Sequence, residues 1–279
     1  MPAMLAGVLL FVAQASLPDL TITTHTTFSN QKDVVHTRTI QVKKLRQRLT
    51  LSFEYRNRTY QSGSSAVISQ CDLHQEILLN DAGRIFHLSP MRDEQAIARA
   101  RAATARPPDT RPVAETITVD AVDTGERRRI GPLEARHVTT TWTTDATDST
   151  RVGTRVIDGW YVDLPAFDCQ ERGNTSAVLI AQRQGVRTEI KWRGKARTGT
   201  TIEETERTTG SFGSSETTTA LVSISDAPLP DALFNIPTGY RPALMGFNGS
   251  VDMQRPDTWV NRASLMWETA RAWLSRWWR

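Results

Sequence analysis

Few residues of this chain have a type and spacing suited to catalysis or metal binding. The sequence contains five histidines, His25, His36, His74, His87 and His137. None of them belongs to an H-E-x-x-H motif or another paired metal-ligand spacing. Cys71 and His74, with Asp72 and Glu76 close by, could seed a metal site, but a surface histidine and a disulfide cysteine explain the same pattern. We therefore predict no resident metal.

Asp158 and Asp163 come closest to a pair of catalytic carboxylates. Asp158 precedes Gly159, and this dipeptide predicts a hairpin turn that gives Asp158 a structural role. Alternation along the next strand places Asp163 beside Tyr161, on the opposite face from Trp160. The sequence has no glycine-rich phosphate loop, no G-x-S-x-G motif and no Ser-His-Asp order with supporting context. It predicts a protein that is not an enzyme and needs no cofactor.

The composition is that of an ordinary globular protein. The 279 residues are 39% hydrophobic and 23% charged, which suffices for a sizeable core and excludes collagen-like, disordered and polytopic membrane classes. The 34 Lys and Arg against 30 Asp and Glu give a formal net charge of +4. The arginines alternate with threonine instead of gathering with stacking aromatics, so we interpret them as solvated strand faces and predict no nucleic-acid partner.

From residue 21 onward the sequence has the period-two alternation of antiparallel strands, as in 36–42 and 49–55. Residues 80–83 predict a turn between two strands, and Asp158-Gly159 predicts a two-residue hairpin turn. Residues 91–111 have helix propensity but little apolar face, so we interpret them as an arginine-rich solvated helix or lid followed by a linker. Further strands are predicted at 115–122, 133–143, 176–184, 186–192, 200–209 and 217–225.

The first residues predict export. Residues 4–13 form an apolar run too short to span a bilayer, and Ala13-Gln14-Ala15 follows as a small-residue cleavage site. This pattern is typical of a secretory signal, although no basic residue precedes the run, and a buried first helix is the alternative. We expect a signal peptide at 1–15 and a mature protein in the periplasm or cell envelope.

The two cysteines, Cys71 and Cys169, are predicted to form a disulfide in that oxidising compartment. In the chain-entropy model, closing a loop of about 100 residues stabilises a fold by up to about 4 to 5 kcal/mol. Two unpaired buried thiols are the alternative, because a bridge requires that the Cα atoms approach closely.

The C-terminal 21 residues hold five of the eight tryptophans. On a helical projection the tryptophans, with Val260 and Met266, gather on one apolar arc and most arginines on the opposite arc. Such a helix is typical of an anionic membrane surface, but the same apolar stripe could close the protein's own sheet or bind an envelope protein. The residues assigned to this helix are Trp259, Trp267, Trp273, Trp277, Trp278, Arg262, Arg276 and Arg279.

Several segments together resemble an exported bacterial family of unknown function that is related to the periplasmic lipoprotein carriers. They are 71–73 with the hairpin through 84–90, 124–131 leading into 134–137, 158–163, and Leu-Pro-x-x-Leu-Phe-x-Ile-Pro-x-Gly-Tyr at 229–240. The last is the most specific, and the similarity runs from Val34 to Pro242. The resemblance implies a lipoprotein-carrier-like half-barrel, a strongly curved antiparallel sheet whose concave face is covered by helices and holds acyl chains. It assigns no catalytic residue, and 91–111 has no counterpart in the family.

We therefore predict a mainly β protein with a curved-sheet domain at 16–245, and a linker and amphipathic helix at 246–279. The predicted function is binding of a lipid or acyl-bearing molecule in the concavity of the sheet. The alternative is an envelope structural or interaction module that uses the C-terminal helix. The candidate ligand-binding residues are strand aromatics chosen by type, with a plain core role as the alternative for each: Phe53, Phe86, Trp142, Trp160 and Trp192.

Overall fold

A computed structural model describes residues 19–55, 64–91, 113–146, 152–164, 187–194, 199–211, 213–245, 251–258, 260–263 and 266. These residues form a mainly β protein with fourteen strands in one sheet. The strands are β1 (Leu20–Phe28), β2 (Gln31–Lys43), β3 (Arg46–Tyr55), β4 (Ser64–Gln70), β5 (Gln75–Asn80), β6 (Ile85–Pro90), β7 (Glu115–Ile130), β8 (Leu133–Ala146), β9 (Gly153–Val162), β10 (Thr188–Gly194), β11 (Thr200–Gly210), β12 (Gly213–Ser225), β13 (Arg241–Met245) and β14 (Val251–Pro256).

The sheet is open and almost wholly antiparallel. Its strand order is β10-β7-β8-β9-β11-β12-β1-β2-β3-β4-β5-β6-β13-β14, so β10 and β14 are the edges. Only two of its pairings are parallel, β10 with β7 and β13 with β6. The predicted antiparallel architecture is confirmed. The described residues do not include the predicted covering helices; they contain two 3-10 turns, Cys71–Leu73 and Asp231–Phe234, and the start of one helix at Val260.

The predicted turn at 80–83 is confirmed. β5 ends at Asn80 and β6 begins at Ile85. The Asn80 side chain accepts a hydrogen bond from the Gly83 amide at 3.0 Å, which closes the turn locally.

The predicted hairpin at Asp158-Gly159 is wrong, because β9 runs straight through both residues. Asp158 pairs with Thr139, and Gly159 pairs with Val138. A Cβ atom on Gly159 would lie 2.9 Å from the backbone oxygen of Glu203 and 2.9 Å from the Tyr161 hydroxyl oxygen, so glycine is needed here for a close approach and not for a turn. Asp158 is thereby free of a turn role and presents its carboxylate on one face of the sheet.

The larger core joins strands from distant parts of the sheet. Gly131 lies at the tip of the hairpin formed by β7 and β8, and a Cβ there would lie 3.2 Å from Cγ2 of Ile224 in β12, three strand pairings away from β8. The buried members of this core are Leu20, Ile22, Ile40, Val42, Ile130, Leu133, Ala135, Val162, Leu164 and Ile202.

A second core lies beneath the segment 229–240, the most specific part of the family resemblance. Phe234 is almost completely buried against Ile68 and Leu79, and Gln70 donates a hydrogen bond to the Phe234 carbonyl at 2.6 Å. Tyr240 donates a hydrogen bond to Asp81 at 2.6 Å. Burial, together with this bond, raises the pKa of Tyr240 to about 12. The segment therefore covers β4, β5 and β6 as an irregular clamp.

Several predicted features lie outside the described residues. They include the signal peptide at 1–15, the strand at 176–184, Cys169 and all of the insert 91–111 except Met91. Cys71 is buried and is not a free thiol, and its bridge to Cys169 stays a prediction. β14 extends the sheet into 246–279, where the sequence predicted a linker.

Replacing Phe234 with alanine tests the clamp. Phe234→Ala removes a fully buried ring, so we expect the free energy of unfolding to fall by about 3 to 5 kcal/mol in urea titrations. Ile236→Ala is the control, since this neighbouring side chain is exposed and its loss should cost no more than about 0.5 kcal/mol. Equal losses in the two variants would contradict the clamp.

Candidate ligand-binding face

Two of the predicted aromatics meet near one edge of the sheet. Trp142 of β8 and Trp192 of β10 both pair with Val119 of β7, so their side chains share one face. Their ring centroids are 5.8 Å apart in an edge-to-face arrangement. Trp192 is 45% exposed, although its ring packs on another indole.

A second aromatic group lies where β1, β2 and β3 end. The ring of His36 lies 5.0 Å from that of Phe28 and 6.3 Å from that of Phe53, and Tyr55 stands 5.9 Å further on. Phe53 is 38% exposed, and Leu51 beside it is exposed as well. This group is a ladder of half-exposed rings.

The strand register puts both groups on the same side of the sheet. His36 and Phe53 belong to a row of directly opposed residues whose other end is Val138, four residues from Trp142 on β8. Since alternate residues share a face, Trp142 and Phe53 project from one surface, which we call the aromatic face. The row consists of Val138, Gly159, Glu204, Thr219, Thr26, His36 and Phe53.

The centre of the aromatic face is polar. Tyr161, 2% exposed, donates a hydrogen bond to Glu204 at 2.7 Å. Burial is the main cause of the raised pKa of Tyr161, and the Glu204 charge adds to it. Arg155 pairs with Glu206 at 2.7 Å, and its guanidinium carbon lies 5.8 Å from the Trp142 ring centre. We call these four residues, Tyr161, Glu204, Arg155 and Glu206, the polar strip.

The polar strip was not predicted from the sequence. Its available signal was Glu204 and Glu206 at alternate positions of a predicted strand, which places two carboxylates on one face. Nothing in the sequence indicated that Tyr161 and Arg155 would lie next to them on the neighbouring strand, because that proximity depends on the register between β9 and β11.

Trp160 and Phe86 lie on the opposite face. Trp160 is opposite His137, and the two rings stack with centroids 4.9 Å apart. Phe86 is opposite Leu79 and packs against the core beneath the 229–240 clamp. Of the five predicted ligand-binding aromatics, the structure thus brings Trp142 and Trp192 together, places Phe53 on the same face, and assigns the other two to packing on the reverse side.

Polar groups on the reverse face satisfy one another. His137 contacts Asp158 at 2.9 Å and Glu126 at 3.2 Å, and Arg128 pairs with Glu203 at 2.7 Å. Asp163 instead accepts a hydrogen bond from Arg136 at 2.8 Å. Asp158 and Asp163 therefore have separate partners and do not form a catalytic pair.

The sequence motif Cys71-x-x-His74 does not assemble into a metal site. His74 occupies a left-handed turn position, and Asp72 is held by two nitrogens of Arg46, the nearer contact being 2.7 Å. The Arg46 guanidinium lowers the pKa of the Asp72 carboxyl. Across the described residues, no group of three His, Cys, Asp or Glu side chains is arranged to hold a metal ion.

A cavity of about 310 Å³ opens at the turn between β2 and β3. Four of its charged groups form pairs, Lys43 with Asp231 at 2.8 Å and Arg46 with Asp72. None of the predicted ligand-binding aromatics lines it. The residues around it are Lys43, Lys44, Leu45, Arg46, Asp72, Asp231 and Phe234.

Part of the predicted C-terminal helix lies within the described residues. Residues 260–263 and 266 are helical, and Arg262 pairs with Asp257 just before the first turn. Val260 is 68% exposed and Met266 is 61% exposed, although both belong to the predicted apolar arc. The five tryptophans of this segment, with Arg276 and Arg279, lie outside the described residues. No helix in the described part of the chain is both long and apolar enough to cross a bilayer.

The chain matches no protein-family model, and the search of curated proteins returns no match. Its functional interpretation therefore depends on the geometry of the aromatic face.

The buried hydroxyl of Tyr161 predicts a pH dependence of stability. The unfolded chain releases this proton at the ordinary tyrosine pKa of about 10, whereas the folded chain retains it. Wild type should therefore lose stability as pH rises above about 10, and Tyr161→Phe should lose less, the difference growing by about 1.4 kcal/mol per pH unit. Urea unfolding at a series of alkaline pH values measures this difference.

Tyr55→Phe, at an exposed tyrosine of the same face, is the control for that experiment. We expect it to keep the wild-type pH profile. A Tyr161→Phe profile parallel to wild type would contradict the assignment of a protonated, buried hydroxyl.

Proposed function

We propose that this protein is a non-enzymatic, exported binding protein that holds a lipid or other acyl-bearing molecule on its aromatic face. The observation that carries the proposal is the pair of half-exposed aromatic groups, around Trp142 and around Phe53, on one side of the sheet. Aromatic surface left in water is unfavourable unless a ligand or partner covers it.

We further propose that the aromatic face is the concave side of a half-barrel. Ile224 pairs with Ile22, four residues from Thr26, so its side chain projects from the aromatic face. The tip of the β7–β8 hairpin reaches that side chain. In a flat sheet, three strand pairings would separate β8 from β12 by about 14 Å. A tip that approaches Ile224 supports a sheet that curls over the aromatic face, as in the lipoprotein carriers that the sequence resembles.

The two kinds of surface suit the two parts of an amphiphile. An acyl chain would lie against Leu51, Phe53 and Tyr55, whose side chains offer apolar contact area. The Tyr55 hydroxyl is the one polar group among these three side chains. The polar strip, which lies on the same face four strand pairings away, would contact the head group. A binding site of this kind needs no catalytic residue.

Native mass spectrometry tests the proposal. Protein purified without detergent is expected to carry about one lipid per chain, which organic extraction then identifies. Phe53→Ser should reduce the occupied fraction severalfold, because it removes apolar contact area. Leu88→Ser is the matched control, since Leu88 is exposed on the reverse face. A wild-type chain that carries no lipid, and takes up none from excess fatty acid, would disprove the proposal.

A second function is supported by the start of the C-terminal helix. Val260 and Met266 belong to its apolar arc, yet both are exposed, which favours an external surface over docking on the sheet. We propose that the helix tethers the protein to an anionic membrane, where its tryptophans and arginines would lie at the headgroup level.

Vesicle flotation tests the tether. The full chain should float with anionic vesicles, less so at high salt because screening weakens the arginine contacts. The double variant Val260→Asp with Met266→Asp should float severalfold less, since it places two charges on the apolar arc. Val222→Asp, at an exposed position of β12, should behave as wild type. Equal flotation of all three proteins would argue against the tether.

A further inference from the structure

Three polar atoms at one end of the aromatic face have no hydrogen-bond partner among the described residues. They are Nε1 of Trp142, Nε of Arg155 and Oγ1 of Thr140, each inaccessible to solvent. Trp142 pairs directly with Arg155, and Thr140 is two residues from Trp142 on the same strand face. Buried polar groups in native proteins are nearly always satisfied, so three such atoms at neighbouring positions require an explanation.

The buried Thr140 hydroxyl argues that the unpartnered polar atoms serve a function. Its side chain is only 7% exposed, and valine at this site would fill a similar volume without burying a hydroxyl. Thr24, which lies on the other side of Glu204 and Glu206 from Thr140, is also buried with an unpartnered hydroxyl. Since Thr24 is two residues from Thr26, it projects from the same face. These four unpartnered atoms lie on both sides of the polar strip. Nε of Arg128 on the reverse face, Nε of Arg136 and Oγ1 of Thr200 are also buried without a partner.

The chemistry of these atoms limits what can satisfy them. The indole N–H and the guanidinium Nε–H only donate, so their partner must accept hydrogen bonds. Glu204 and Glu206 lie in the same strip and only accept, so groups that face them must donate. A fully anionic head group would meet the donors but would lie beside two carboxylates. A hydroxyl group accepts and donates at once.

We propose that this end of the aromatic face is a head-group subsite for a neutral, hydroxyl-bearing amphiphile, such as a lipid with a sugar or polyol head. This inference rests on the proposed function and specifies its ligand class. The exposed ring of Trp192, beside Trp142, provides a flat apolar surface for the C–H side of a sugar ring. Thr140, Trp142 and Arg155 supply the hydrogen bonds after the side chains that cover their polar atoms in the unliganded protein have moved aside.

Three amphiphiles with the same dodecyl chain separate head-group recognition from chain binding. Dodecyl maltoside carries a sugar, dodecylphosphocholine a zwitterion and laurate a carboxylate. Titration calorimetry below the micelle concentration, on the full chain stripped of bound lipid, should give the tightest binding for the maltoside, by about tenfold over laurate.

Trp142→Phe removes the indole N–H and keeps an aromatic ring. It should weaken maltoside binding about three- to tenfold, the amount expected for one hydrogen bond, and weaken laurate binding less, so the preference for maltoside over laurate falls. Thr140→Val should act in the same direction and should not destabilise the unliganded protein, because it removes an unpartnered buried hydroxyl. Trp160→Phe, on the reverse face, is the control and should leave all three affinities unchanged.

The outcomes distinguish this inference from the proposed function. Similar affinity for all three amphiphiles, or a preference for laurate, would overturn the head-group subsite while leaving a lipid-binding face. An equal effect of Trp142→Phe on maltoside and laurate would also overturn it, since the tryptophan would then contribute only apolar contact. If none of the amphiphiles binds, both the subsite and the proposed function fail.

Discussion

The register of the sheet from β8 to β3 is the constraint on which the aromatic face depends. Side chains alternate with a period of two, so a slip of one residue in any pairing would send the side chains of that strand to the reverse face. An unbroken row from Val138 to Phe53 keeps seven strands in phase. Gly159 lies in this row and leaves room for the Tyr161 hydroxyl that reaches Glu204. Pairing geometry, more than residue type, builds the polar strip.

The two cores stabilise different parts of the sheet. Near 229–240, the clamp closes the reverse face over β4 to β6, with Phe234 as its anchor. The larger core fills one end of the structure, where Ile22 and Ile40 on the aromatic face meet residues near the β7–β8 hairpin tip. Both arrangements leave the other end of the aromatic face without a cover among the described residues. The half-exposed rings around Phe53 lie on that uncovered part.

The polar and aromatic surfaces are complementary in energetic terms. A purely apolar surface would bind any acyl chain. Buried hydrogen-bond donors would discriminate between head groups, because a ligand that cannot pair with the donors leaves the cost of their desolvation uncompensated. Arg155 illustrates the arrangement: its terminal nitrogen is neutralised by Glu206, yet its Nε remains unpartnered beside the Trp142 indole. Specificity would therefore come from these few atoms, and affinity from the rings.

The antiparallel strands and the turn at 80–83 could be predicted from the sequence alone. Alternation of threonine with Val and Ile predicts antiparallel strands because it is a local property of each strand, and the Asn80 turn is closed by its own side chain. The other features depend on contacts between segments that are far apart in the sequence. Asp158-Gly159 is a turn signal, but Gly159 serves a contact with Tyr161, which no local pattern reveals. Likewise, the strand aromatics could be selected by residue type. Only the register between distant strands shows that Trp142 and Phe53 share one face, whereas Trp160 and Phe86 project from the other. The face of a side chain follows from its partners across the sheet and not from its neighbours in sequence.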